Sequence, residues 1–460
     1  MKRLCGIAMI VLGGMCVSNG ALAQTQQTPQ PMPQAPAPQA STPAQQTTAT
    51  PGPNERQLTL QEAEATAIRN NPEITVAKLQ AMQAHEFVRE ARSALLPQAN
   101  LSVTAVDSNP GTRISAGYLT NPTVYPRAAA GVTVNQLITD FGRTQNLIAN
   151  SAFQAKAVDQ NAVATQQQIV LAVDQAFYNT LETKALLQVA EETVKARQLL
   201  VDQIQALTNA KLKSDLDLSF SKVDFARARL LLLESQNNYQ ASLSTLSAIM
   251  GYPEQQEFAT VEPPMQTVAP AVDPTPLIQE ALNQRPEVKS LEDQVSAAAK
   301  FSKAEHDLWW PTINASGAAG LAPVRDDHVS SSYGAVGVNI NIPVFNGFLF
   351  NARAKSADLD VEMRKKQLQD LQNNIARDVR NSWLDSEKAY ERLTVTQQLR
   401  EQANLALELA QARYKLGLGT IVEFSQAELQ KTDADLQDTD AHYQYLLTRI
   451  VLAYEMGQIR

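Results

Sequence analysis

Asn71-Pro72-Glu73 opens a run that ends at Leu96-Pro97, and Arg285-Pro286-Glu287 opens a second that ends at Trp310-Pro311, with the same spacing from proline to proline in both. Matching pairs continue in the same order. Gly131-Val132-Thr133-Val134 corresponds to Gly337-Val338-Asn339-Ile340, Phe220-Ser221 to Phe424-Ser425, and Met250-Gly251 to Met456-Gly457. A duplicated plan of this kind fixes architecture before any local element is assigned. The expected organisation is a first repeat over 58–262, a linker over 263–272 and a second repeat over 273–460.

Each repeat reads as the same series of elements. Thr59-x-x-Glu62 is a capping box for a short helix. Pro72 suits the first turn of the next helix, and Pro97 stops it at Leu96. The period then changes from helical to two. Leu101, Val103 and Ala105 alternate with polar neighbours, as do Val132 and Val134, Ile313 and Ala315, and Val336, Val338, Ile340 and Ile342. Four strands of roughly ten residues, each with one apolar face, have the length and pattern of tilted membrane β-barrel strands.

A very long helical pattern without proline follows each strand pair, over 143–207 and 348–414. At 1.5 Å per residue each spans roughly 100 Å. Ile148, Ala155, Ala162, Ile169 and Ala176 recur every seventh residue, the spacing of a left-handed supercoil with close packing. Returning helices are expected over 216–249 and 421–456. Each then stacks end to end with the helix before the strands to cover the long one.

Composition excludes several functions. Cys5 and Cys16 lie in the N-terminal leader, so disulfide frameworks, zinc-thiolate sites and cysteine nucleophiles are ruled out. His85, His306, His328 and His442 show no metal-ligand spacing, so no metal or other cofactor is expected. A net charge of -8 disfavours nucleic acid. A mean hydropathy of -0.25 disfavours a helical membrane protein but not a β-barrel. No nucleophile and base stand together, and Gly417-Leu418-Gly419 follows a helix, so it reads as a helix end and tight turn instead of a phosphate loop. The chain is read as a non-enzyme.

Residues 1–23 read as a signal peptide: Lys2 and Arg3, an apolar core around Ile7 to Val11, and Ala21-Leu22-Ala23 before Gln24. Met15 before Cys16 argues against lipid attachment. Residues 24–57 read as a disordered Pro/Gln-rich tether. Trp309, Trp310, Tyr118, Tyr125, Phe345 and Phe348 flank the strands and are candidates for an interfacial aromatic belt.

Four strands cannot close a barrel, and an open edge is not tolerated in lipid. Three copies give about twelve strands and leave a channel, whereas two give about eight and a bore filled by side chains. An exported periplasmic coiled-coil scaffold is the alternative; it accounts for the helices but not for the alternating segments.

Leu58-Thr59-Leu60-x-Glu62-Ala63 before Asn71-Pro72-Glu73, the paired Leu96-Pro97 and Trp310-Pro311, and Arg413-Tyr414-Lys415-Leu416-Gly417-x-Gly419-Thr420 together resemble the TolC-type outer membrane efflux protein family. The resemblance covers nearly the whole chain from Leu58. It implies a mostly α protein with a membrane β-barrel: a homotrimer with a 12-stranded barrel in the outer membrane lipid of a Gram-negative-type cell, continuing as a helical tunnel through the periplasm. It also implies the role of passive exit duct for a tripartite efflux pump or type I secretion system, with a periplasmic adaptor and an inner-membrane transporter as partners. Drug efflux, metal efflux and type I secretion share such a duct.

The same resemblance implies that the two helix turns form the periplasmic tip, closed by polar contacts and ringed by acid. Leu212, Lys213, Ser214, Gly417, Leu418 and Gly419 are the candidate docking residues. Tyr414 and Glu423 match the tyrosine and first acidic position of the family's gate. Gly419 stands where an arginine is expected, Gln426 at the second acidic position, Lys213 where a glycine is common and Ser219 where an acid stands. Asp215 and Asp217 are candidates to supply acid from a shifted position.

Overall fold

The computed structural model describes residues 56–107, 126–264, 267–324 and 330–459. The expected signal peptide, nearly all of the tether, Tyr118, Tyr125 and His328 lie outside them. No described helix is long and apolar enough to cross a membrane.

The first half comprises β1 (Arg56–Leu58), α1 (Leu60–Asn70), α2 (Pro72–Ser93), β2 (Gln98–Val106), β3 (Arg127–Thr139), α3 (Arg143–Asn209), α4 (Asp215–Ile249) and β4 (Phe258–Thr260). The second comprises α5 (Thr275–Gln284), α6 (Pro286–His306), β5 (Thr312–Val324), β6 (Ser332–Asn341), α7 (Leu349–Lys415) and α8 (Ile421–Glu455). The long helices α3 and α7 are 67 residues each, and the returning helices α4 and α8 are 35 each. Thr59 and Glu62 form the reciprocal cap expected for α1. Asn71 caps α2 through the Glu73 amide at 2.8 Å.

Two expected boundaries move. Helix α2 stops at Ser93, and residues 94–96 form a turn before Pro97. Arg56 and Gln57, expected in the tether, instead belong to β1, which pairs in parallel with β4. Main-chain pairing and burial of Leu58 in the core hold this segment in place.

Strands β2, β3, β5 and β6 form one antiparallel sheet in that order. Directly paired residues share a face. The row Leu101, Val132, Ala319, Gly334 and the row Ala99, Val134, Gly317, Val336 are apolar. The neighbouring row Gln98, Asn135, Ser316, Gly337 presents polar side chains and glycine to the other face. On that second face the Tyr333 ring lies across Gly320 and Gly131, where an added Cβ would come within 2.5 and 2.0 Å of its hydroxyl. Only glycine permits this close approach. The four strands carry one charged residue, Arg127, at the outer end of β3.

Helix contacts repeat the strand order. On the strand side α3 packs against α2 and α6, and α6 against α7; towards the turns α3 packs against α4 and α8, and α8 against α7. Of the sevenfold row of α3, Ala155 and Ala176 are buried, and Ile148, Ala162 and Ile169 are half-buried. The stacked helices are spliced at the sequence landmarks themselves. Asn71 Nδ2 donates to the Ile249 carbonyl at 2.9 Å, joining α4 to α2. Arg285 Nη1 donates to Glu455 at 2.6 Å, joining α8 to α6. Gly251 and Gly457, with φ of +84° and +74°, turn the chain away at the two splices.

The largest core cluster lies at the middle of α3, where Val173, Phe177, Tyr178 and Leu181 meet Leu58, Leu246, Met250, Phe258 and Tyr445. Part of the linker is pinned beside it: the Tyr445 hydroxyl donates to the Val268 carbonyl at 2.7 Å, and Trp383 Nε1 to Ala271 at 2.6 Å. The C-terminal end is held at a similar height, with Gln167 donating to the Ile459 carbonyl at 2.7 Å.

At the junction of sheet and helices the aromatics cluster. Phe141 stacks on Trp310 at 5.5 Å, Trp309 meets Phe350 edge-on at 5.5 Å, and Phe345 meets Phe348 at 5.9 Å. Phe141 and Phe348 adopt the left-handed conformation, unusual for bulky residues, at matching strand-to-helix corners. Both remain exposed.

Candidate docking tip and gate

At the opposite end, α3 closes through Leu212, whose amide donates to the Leu207 carbonyl at 2.8 Å, with Lys211 at φ +60°. Ser214 then caps α4 reciprocally with Asp217: the Asp217 amide donates to Ser214 Oγ at 3.1 Å, and the Ser214 amide to Asp217 Oδ2 at 3.4 Å. The second turn has the same form. The Leu418 amide donates to the Arg413 carbonyl at 2.9 Å, Gly417 sits at φ +71°, and Thr420 caps α8 through the Glu423 amide at 3.2 Å. Such a helix end favours glycine, which bears no Cβ penalty in that region.

The two turns expose Leu212, Leu216, Leu416, Leu418 and Val422. Behind them Tyr414 stacks on Phe424 at 5.4 Å, packed with Ile204, Leu218 and Ile421. Lys213 crosses from the first turn to the second, placing its ammonium 3.7 Å above the Tyr414 ring. Burial, reinforced by the Asp217 charge, pushes the Tyr414 phenol up to about 12. Its hydroxyl has no hydrogen-bond partner among the described residues.

The expected site residues thus occupy two adjoining turns, with Lys213 and Tyr414 in contact. Asp217 is engaged in capping, and Asp215 stands exposed in the first turn of α4. At position 419 glycine leaves space that Arg413 uses. A Cβ there would lie 3.2 Å from both Arg413 Cβ and Glu423 Oε2. Arg413 reaches the Leu418 carbonyl at 3.2 Å and Glu423 at 4.0 Å.

Sequence reasoning missed the layer behind the tip. Ser425 of α8 donates a short hydrogen bond to buried Asp224 of α4. Arg197 of α3 pairs with Glu428 of α8, and burial pulls its guanidinium below the usual range against the opposing pull of Asp224. A signal for it existed. The sevenfold row of α3 continues through Thr183, Ala190, Arg197 and Ile204, so a charge stands in a packing seam and needs a partner there.

Residues 65–252 and 277–458 each match the outer membrane efflux protein family. The chain is 23% identical over 410 residues to outer membrane protein TolC of Salmonella enteritidis, covering 85% of this chain and 80% of that protein. Among solved structures, CusC superposes with a TM-score of 0.76 at 20% identity, covering 86% of this chain and 92% of that one. The outer membrane protein VceC of Vibrio cholerae gives 0.74 at 20% identity, covering 86% and 96%. With both halves matched, the chain belongs to the outer membrane efflux protein family.

Proposed function

We propose that this chain is one protomer of a trimeric outer membrane exit duct for efflux, formed when three copies close head to tail. The observation that carries this reading is the agreement of two orders. Among the described residues the sheet ends in β2 and β6, each paired along one side only, and the helical layer ends in α2 with α4 on one side and α7 on the other. Both edges are sticky. Helix α4 exposes Leu216, Val223 and Leu230, α2 exposes Val76, Leu79 and Met82, and α7 exposes Leu359, Met363, Leu384 and Val395. Unlike edges meeting around a threefold axis generate a closed ring. Twelve strands then form the membrane barrel, apolar face outward, and twelve helical columns form the tunnel.

In this reading the duplicated halves are the two repeats, 58–262 and 273–460, and Trp309, Phe141 and Phe348 meet the membrane interface at the tunnel end of the barrel. The duct is passive, a conduit and not a catalyst. Its cargo is delivered through a periplasmic adaptor from an inner-membrane transporter, with Leu212, Lys213, Ser214, Gly417, Leu418 and Gly419 as the docking tip.

Gly417→Trp tests the tip. A Cβ at Gly417 meets nothing within 4 Å, so a large side chain projects into open space in the free protein. The left-handed backbone costs it about 1 kcal/mol, which Gly417→Ala shares. Transport through a cell's own adaptor and pump should stop with tryptophan and persist with alanine, with normal amounts of trimer in both. Equal transport by the two variants would remove Gly417 from the docking surface.

Asp215, Asp217 and Glu423, repeated three times around the axis, would set a negative ring at the mouth of the tunnel. In planar bilayers the duct should prefer cations at low salt, with the preference weakening as salt screens it. Asp217→Asn with Glu423→Gln should reduce it. Selectivity untouched by both changes would remove these carboxylates from the pore.

A further inference from the structure

Asp174, Tyr178 and Glu182 follow one another at four-residue intervals on α3, so they share one face of the helix. That face is turned into the core: Asp174 is 7% exposed, Glu182 8% and Tyr178 1%. Each acid meets another acid. Glu64 of α1 stands against Asp174, whose buried Oδ1 meets no ordinary hydrogen-bond donor among the described residues, and Asp440 of α8 stands against Glu182. Two ionised carboxylates are acceptors only, so a hydrogen bond between them requires a proton on one.

Each pair also has charged neighbours of both signs. Around the first pair stand Glu262, just after β4, and Arg449 of α8, whose charges both act on Tyr178. Around the second, Arg392 of α7 already donates to Asp440 at 2.6 Å. Tyr443 of α8 faces Glu182 and Glu262, and His442 contacts Glu262 at 3.2 Å. Burial first, and then the neighbouring Glu64, push Asp174 up to about 8. Burial first, and then Asp440, push Glu182 up to about 7 against the lowering effect of Arg392. Burial also raises Glu64.

We propose that the Asp174–Glu64 and Glu182–Asp440 pairs are proton-held clasps, which fasten α1 and α8 to the middle of α3 and loosen as the medium turns alkaline. The direction follows from proton linkage. A carboxyl whose folded value lies above its unfolded value of about 4 stabilises fully in acid, and this is lost as pH rises through the folded value. The window is therefore roughly pH 4 to 8, with neutral pH on the steep part. The clasps belong to the single chain, so they do not depend on the duct reading.

Amide hydrogen exchange of the full chain in detergent tests this, with rates corrected for the intrinsic effect of pH. Between pH 6 and pH 8, protection of residues 60–70 and of α8 around residue 440 should fall, by up to about tenfold per pH unit for each proton released. Asp174→Asn keeps a donor facing Glu64 without a titrating proton. It should flatten the pH dependence of α1 while leaving that of α8, and Glu182→Gln should do the reverse. If either variant folds poorly, Glu64→Gln and Asp440→Asn place the amide on the other member of each pair. Wild-type protection that is flat from pH 6 to pH 8, or slopes unchanged by the substitutions, would overturn the proposal.

Discussion

Val336→Arg should prevent trimers from accumulating in the outer membrane. Val336 lies in the middle of β6, is 93% exposed in the single chain, and shares a face with Val338 and with Ala99 and Val134 across the sheet. In the proposed barrel that face meets lipid. An arginine at mid-depth costs about 2–4 kcal/mol in a membrane barrel, and each trimer would carry three. Asn339→Arg on the opposite, lumen-facing side of the same strand is the control and should insert normally. The heat-sensitive trimer band in outer membrane fractions reads both. Normal insertion of Val336→Arg together with failure of Asn339→Arg would mean that the sheet faces have been assigned the wrong way round.

Charging the helical edge should be as damaging, at a different step. Val223 and Leu230 stand seven residues apart on α4, half to two-thirds exposed, and no described element covers them. Replacing both with lysine should therefore leave the protomer's helix content intact. Each change forfeits about 1.5–3 kcal/mol of apolar burial, twice at each of three interfaces. Mass analysis of the detergent-extracted protein should find monomer where wild type gives trimer, with unchanged far-ultraviolet circular dichroism. A stable trimer of the double variant would move the subunit contact away from α4.

Much of this architecture was legible because its boundaries are made by local chemistry. Thr59, Asn71 and Thr420 cap helices through their own side chains, and Gly417 ends one, so those limits fell within a residue or two of the observed ones. The strands were legible because Leu101, Val103 and Ala105 in β2, and Val336, Val338 and Ile340 in β6, alternate with polar residues and glycine, with shorter alternations in β3 and β5. What escaped depends on distant partners. The three-residue β1 has no periodicity to read, and only its pairing with Phe258–Thr260 makes it a strand. Asp174 and Glu182 look like ordinary solvated charges on a helix until α1 and α8 cover them. At the tip the turns and their exposed leucines could be foreseen. The crossing of Lys213 onto Tyr414 could not, nor the use by Arg413 of the space left by Gly419, since both depend on how two hairpins distant in sequence lie together.

The described chain begins and stops near the middle of its longest helices. Arg56 enters beside Phe258, near the core at the middle of α3, and Ile459 leaves against Gln167 of the same helix. Neither end of the described chain lies at the sheet or at the helix turns. A fluorescent or affinity label joined after the last helix therefore starts midway along the long helices, far from both the sheet and the helix turns.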